Sequence, residues 1–125
     1  MPQSNRKTSS ALGPAEAARS LRISIKALRL YESWGLVIPR RTARGWRFYT
    51  PEDIERLSRT LALKAMGFGL AQIVGLLDAE PEAMAAALAA QERLLDERRR
   101  ALDEALDAVR RARRSAAGAR PRLVA

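Results

Sequence analysis

The 125-residue chain contains no cysteine and no histidine. Their absence excludes disulfides, thiolate and imidazole metal sites, cysteine nucleophiles and histidine acid–base catalysis. Long apolar runs are also missing: the longest, Ala83 to Ala90, falls far short of the roughly 20 residues that a bilayer span needs. The start of the chain lacks the apolar core of a signal peptide, so the expectation is a soluble, cytoplasmic protein with no membrane partner. No nucleophile–base pair or carboxylate dyad stands out, and Glu52 and Asp53 are better explained as first-turn helix charges. Neither an enzyme nor a cofactor nor a bound metal is expected.

Positive charge is what the chain has in excess: 23 Lys and Arg against 14 Asp and Glu, a formal +9. Residues 1–50 hold ten cations and two acids, residues 51–81 three and five, and residues 82–125 ten and seven. The basic excess therefore belongs to the first fifty residues, where a positive face attracts nucleic acid or an anionic surface. Arg outnumbers Lys 20 to 3, and a compositional bias toward Arg and Ala would also produce such an excess.

Residues 1–10 are polar and aperiodic and read as a disordered tail; residues 115–125 read as a second, flexible one. Between them the pattern is mainly α. A helix is predicted at about 14–20, opened by Pro14, with Ala17, Ala18 and Leu21 at helical spacing. After a three-residue break, Ser24 caps a second helix that turns Ala27, Leu28 and Tyr31 inward and ends at Gly35. Leu36-Val37-Ile38 and Trp46-Arg47-Phe48-Tyr49 read as the strands of a hairpin with an Arg-loaded tip. Thr50 and Pro51 open a third helix with Ile54, Leu57, Leu61 and Met66 on its apolar face, and a fourth carries Leu70, Ile73, Val74 and Leu77.

A long helix is predicted over 82–114, roughly 50 Å at 1.5 Å per residue. Leu88, Leu95, Leu102 and Val109 recur every seven residues, and Leu94 and Leu106 widen the stripe. Four short helices cannot cover it, so the helix is expected to pair with a second chain as a coiled coil. The domains expected are a DNA-binding head over 11–78 and a dimerisation helix over 82–114.

Helix, three-residue turn, helix and basic hairpin make a winged helix-turn-helix, whose second helix can enter the major groove while the hairpin reaches the flanking backbone. Lys26 and Arg29 share a face of that second helix and are the candidates for base-edge readout. Tyr31 suits either a phosphate contact or the core. Arg40, Arg41, Arg44 and Arg47 bracket Trp46 as a candidate phosphate clamp, and Ser24 and Tyr49 belong to the same candidate DNA-binding set.

The run from Ser24 to Glu32 including Lys26-Ala27-Leu28-Arg29-Leu30-Tyr31-Glu32, then Gly35-Leu36-Val37, Arg41-Thr42, Gly45-Trp46-Arg47-Phe48-Tyr49, Asp53-Ile54 and Met66-Gly67-Phe68 resembles the MerR family of bacterial transcription regulators, from about Leu12 to Leu77. The resemblance implies an antiparallel homodimer bound to a pseudo-palindromic operator in an over-long promoter spacer, which it distorts so that RNA polymerase engages both promoter elements. It implies contacts from Lys26, Arg29 and Tyr31, from Trp46 and Arg47 in the wing, and from Lys64 in a second wing. Leu30 stands where the family often has an aromatic residue, and the hairpin from Gly35 to Gly45 is one residue shorter than the commonest spacing. Metal-sensing members carry cysteines after the long helix and drug-sensing members an effector domain; this chain carries neither, and no inducer is implied. Two other readings use the same features: an architectural DNA-bending factor for recombination or excision, and an adaptor that binds a partner protein through its long helix.

Overall fold

The computed structural model describes the backbone of residues 11–124 and side chains of residues 11–118; the polar segment 1–10, expected to be a tail, lies outside them. Helix α1 spans Pro14–Leu21, with Pro14 in the first turn and a Glu16 carboxylate oxygen accepting from the Gly13 amide at 3.4 Å. It ends on Arg22, whose backbone is left-handed at φ 58°, a conformation that costs a non-glycine residue about 1 kcal/mol. The Arg22 and Ile23 amides donate to the carbonyls of Arg19 and Ala18, which closes the helix and turns the chain within three residues into α2, Ile25–Ser33. Ser24 caps α2 through its hydroxyl, which accepts from the Ala27 amide at 3.0 Å. Gly35, at φ 76°, closes the far end, with the Leu36 amide donating to the Tyr31 carbonyl. That is the left-handed closure for which glycine is suited.

The wing is smaller and later than its β-favouring runs suggested. Strand β1 is Arg40–Arg41 and β2 is Arg47–Phe48, antiparallel, with Arg40 opposite Phe48 and Arg41 opposite Arg47. Leu36, Val37 and Ile38 form no strand. In this register Ile38 would face Thr50, which is already committed to capping the next helix, and Pro39 has no amide to donate. Leu36 and Val37 are buried in the core instead, while Ile38 is exposed. Leu12 adds a bridge on the other side of the wing, exchanging both backbone hydrogen bonds with Tyr49 at 2.8 and 2.9 Å.

Helix α3, Pro51–Ala65, opens with a capping box: the Asp53 amide donates to the Thr50 hydroxyl, and the Thr50 amide donates to the Asp53 carboxylate, at 3.1 and 3.0 Å. Its buried face is Asp53, Leu57, Thr60 and Leu63, whereas Ile54 and Leu61 are half-buried and Met66 is exposed. The expected apolar stripe is thus rotated, because Thr60 hides its polarity by donating its hydroxyl to the Arg56 carbonyl at 3.0 Å. Gly67, at φ 95°, reverses the chain and buries Phe68. Helix α4, Leu70–Leu76, buries Ile73 and leaves Val74 exposed; Leu77, just past its end, is buried. Two arginines of α3 hold the surrounding chain: Arg56 donates to the Leu36 carbonyl and bidentately to Asp78, and Arg59 donates to the Leu77 carbonyl, all within 3.0 Å.

Helix α5 runs Pro81–Val124, ten residues beyond the expected end at 114. Ser115 to Ala119 are tolerated in a helix, with Gly118 alone costing about 1 kcal/mol relative to alanine; the first stop signal is Pro121, which has no amide to donate and lies within the last four residues. The chain divides into two compact units between Met84 and Ala85, so the first turn of α5 belongs to the head unit rather than to a linker. In the second unit Leu88, Leu94, Leu95, Leu102, Leu106 and Val109 are all exposed, Leu102 at 70%.

Candidate nucleic-acid interface

Successive α-helical residues are rotated by about 100°, which sorts α2 into two faces. Leu28 and Tyr31 point into the core, and Lys26, Arg29, Leu30 and Ser33 form a solvent-facing arc. Lys26 occupies the first turn, where a cation opposes the helix dipole by a few tenths of a kcal/mol. The helix has no acid in that turn. This placement of Lys26 weakens the helix locally, which is the pattern expected of a residue kept for binding. Among the described residues, neither Lys26 nor Arg29 has an ion-pair partner.

The wing tip is a tight turn. The Gly45 amide donates to the Thr42 carbonyl at 2.8 Å, the Trp46 amide to the Thr42 hydroxyl at 3.1 Å, and Gly45 takes φ 85°. This turn projects Arg44 and Trp46 outward around a concavity of about 370 Å³ lined also by Thr42 and Ala43. Trp46 is 70% exposed, so its ring serves no core.

The four wing arginines differ in their partners. Arg40 donates from Nε and Nη2 to Asp53 at 2.8 and 3.4 Å, and Arg41 donates from Nη1 to the Gly45 carbonyl at 2.7 Å. Arg47 Nη1 lies 3.2 Å from Glu32 Oε1 in an ion pair outside good hydrogen-bond geometry, and both that oxygen and Arg47 Nε lack a hydrogen-bond partner. Only Arg44 of the four has no internal partner among the described residues. Burial opposes ionisation of the Asp53 carboxyl, but hydrogen bonds from Arg40 and Thr50 outweigh it and hold the group below the ordinary carboxylate value.

Both tyrosines are core residues: Tyr31 is 4% and Tyr49 1% exposed. The Tyr49 hydroxyl donates to Glu32 Oε2 at 2.6 Å, and burial together with that carboxylate pushes its titration well above the ordinary value. Tyr49 is therefore an internal link between wing and α2, as is Arg47, and Ser24 is occupied as a cap. The residues that sequence reasoning missed are Glu32 and Asp53, the acids that position the wing; each is buried opposite a cation 13 or more residues away, a pairing with no local signal. Lys64 is exposed in the last turn of α3, about 16 Å along the helix axis from Asp53 where Arg40 docks, and does not join the wing cluster. No group of three or more acids able to hold a metal occurs among the described residues.

Comparison with known proteins agrees with this geometry. Residues 14–80 match the family model of the MerR HTH family regulatory protein. The chain is 47% identical over 60 residues to the transcriptional regulator BrlR of Pseudomonas aeruginosa, covering 46% of this chain and 22% of that protein. It is 33% identical over 90 residues to the HTH-type transcriptional activator mta of Bacillus subtilis, covering 71% and 35%. The chain thus spans about a third or less of these two relatives. Among solved structures it resembles the N-terminal part of the Bacillus subtilis multidrug transporter activator, MtaN, with a TM-score of 0.72 and 31% identity over 80% of this chain and 95% of that one. It also resembles HiNmlR, a MerR family regulator lacking the sensor domain and bound to promoter DNA, with a TM-score of 0.61 and 27% identity over 78% and 79%. The family consists of DNA-binding transcriptional regulators rather than enzymes. With a family match over more than half its length and a helix-turn-helix, wing and long helix in the matching order, the chain belongs to the MerR family of HTH regulatory proteins.

Proposed function

We propose that the chain is a homodimeric transcription regulator that reads a pseudo-palindromic operator within a promoter and distorts the DNA it binds. The observation that carries this reading is the solvent-facing arc of α2, where Lys26 and Arg29 stand free of internal acids beside a wing that presents Arg44 and Trp46. Lys26 and Arg29 read base edges; Arg41, Arg44, Trp46 and Lys64 hold the backbone. Arg40, Arg47 and Tyr49 set the wing against the head, so their contribution is positional. The promoter DNA named for HiNmlR supports a promoter as the target, with RNA polymerase as the machinery that responds. No helix among the described residues is long and apolar enough to cross a membrane, in keeping with action on the chromosome in the cytoplasm.

The exposed stripe from Leu88 to Val109 supports self-association, and charge supports an antiparallel arrangement. Residues 82–107 hold four arginines against seven acids, a net of −3, while residues 108–125 hold six arginines and no acid, a net of +6. Parallel pairing would set the six arginines of residues 108–125 against a second six, whereas antiparallel pairing keeps the two clusters at opposite ends.

The test is selection of a binding site from a random duplex library, followed by Arg29→Ala. Truncation should cost about 1–3 kcal/mol and relax preference at one position in each half-site. A dimer that bends DNA without sequence preference would leave an architectural role, and a chain that binds no duplex at moderate salt would leave the partner-binding adaptor.

A further inference from the structure

The last part of α5 changes character after Val109. Upstream, arginines alternate with acids, and Asp96 pairs with Arg99 at 2.8 Å. Downstream, Arg110, Arg111, Arg113 and Arg114 crowd into five residues, all exposed and without an ion pair among the described residues, and no acid follows Asp107. Arg110, Arg113 and Arg114 share one face at i, i+3 and i+4 and line, with Ala117, a groove of about 290 Å³. Like charges at these spacings destabilise a helix by a few tenths of a kcal/mol per pair. Because α5 continues to Val124, these cations do not complement a helix end either. The proposed antiparallel dimer leaves most of this charge unmatched: pairing centred between Leu88 and Val109 sets the four arginines against residues 83–87 of the opposing helix, which hold no acid, with Glu82 the one acid beside them.

We propose that Arg110, Arg111, Arg113 and Arg114 form a second phosphate-binding surface, distinct from that of α2 and the wing, which holds the sugar–phosphate backbone of DNA. Three guanidinium groups around one groove suit a tetrahedral phosphate, since each can donate two parallel hydrogen bonds where lysine offers a point charge. The small side chain on that face, Ala117, lets a backbone approach closely. Ala112 and Ala116, turned away from that face, argue against a lipid surface, because an interfacial helix needs bulky apolar residues opposite its cations. The site adds sequence-independent affinity, and in a chain already held by its head it acts at high effective concentration.

The experiment compares the full chain with the Arg110→Gln, Arg113→Gln, Arg114→Gln variant, glutamine being a good helix former. Affinity for a long duplex lacking the selected operator is measured against salt concentration. The variant should lose at least about tenfold in affinity, and its log–log salt slope should fall by about two to three per protomer. The corresponding triple Lys variant, which keeps the charge, should restore most of the slope. An unchanged slope in a variant of normal dimer mass overturns the proposal. So does loss of the dimer, which would place the arginines in the interface, or weakened binding to vesicles of phosphatidylcholine and phosphatidylserine at about 3:1 with DNA binding intact. Lys26→Ala with Arg29→Ala, titrated in parallel, keeps the two readings separable: that variant should lose operator preference but retain the slope due to α5. If the wild type itself has no operator preference, the operator-reading proposal fails while the slope comparison still decides this one.

Discussion

The head and the long helix dispose of their apolar residues in opposite ways. In the head, Leu28, Leu36, Leu57 and Ile73 are completely buried, drawn from the second helix, the loop before the wing and both later helices. On α5, the residues of the heptad stripe remain exposed. A short helix finds its partners within its own chain, whereas a single helix of 44 residues outruns them. Burial is thus complete within the head, whereas the stripe of α5 would be covered only in the proposed dimer.

The sharpest way to break that contrast is to charge the stripe. Leu95→Asp with Leu102→Asp should convert dimers to monomers outright, as seen by sedimentation, because an unpaired carboxylate in a buried seam is costly; the head should retain its near-ultraviolet circular dichroism. A dimeric double variant would remove this stripe from the interface. Next in size, Leu28→Ala should destabilise the head by about 2–5 kcal/mol in urea unfolding, independently of protein concentration, whereas Leu102→Ala should lower stability only where the dimer is populated.

A smaller effect is expected at the capping box, where Thr50→Ala should cost about 1 kcal/mol. Acid sensitivity follows from the same place. The Asp53 carboxyl is held below its ordinary value, so the stability it contributes is present above the unfolded value, near 3.9, and is lost as pH falls through the lowered folded value. Asp53→Asn should therefore flatten the stability profile below about pH 4, leaving the part due to Asp78, whose carboxyl is lowered by its hydrogen bond from Arg56. The smallest expected change is a gain: Arg22→Gly should stabilise the head by a few tenths to about 1 kcal/mol, relief of the left-handed backbone being partly offset by the freer unfolded chain. A thermal melt that shifts downward would assign the Arg22 side chain a role of its own.

What could be read in advance was local. Ser24, Gly35, Thr50, Pro51 and Gly67 act on backbone groups within a few residues, so their placement follows from chain geometry alone. Partners distant in sequence were not legible: an arginine in a basic hairpin gives no sign whether it faces solvent, like Arg44, or a carboxylate 13 residues away, like Arg40. Tyr31 illustrates the same limit, since its spacing from Leu28 fitted the core and its hydroxyl a phosphate equally well; only packing of the whole head places it inside. The first strand was misread because β-favouring residues at 36–38 describe burial as well as pairing, and here burial took precedence. Helix α5 outruns the expected end at 114 because the alanine, serine and single glycine of residues 115–119 permit a helix, and the first breaker after Arg114 is Pro121.

Glu32 sits on α2 and faces β2, receiving the Tyr49 hydroxyl on one oxygen and the Arg47 guanidinium beside the other. Mechanically, this makes helix and wing two jaws of a caliper with a fixed gap. Prising them apart would separate a buried carboxylate from both of its companions, a cost of several kcal/mol for an uncompensated buried charge. Smoothly curving a short duplex costs a comparable amount, of order 1–6 kcal/mol. On the proposed reading, a groove whose neighbouring phosphates do not match the gap would meet jaws no more compliant than the duplex, and the stiffness of one joint inside the protein would become a preference for DNA that deforms easily.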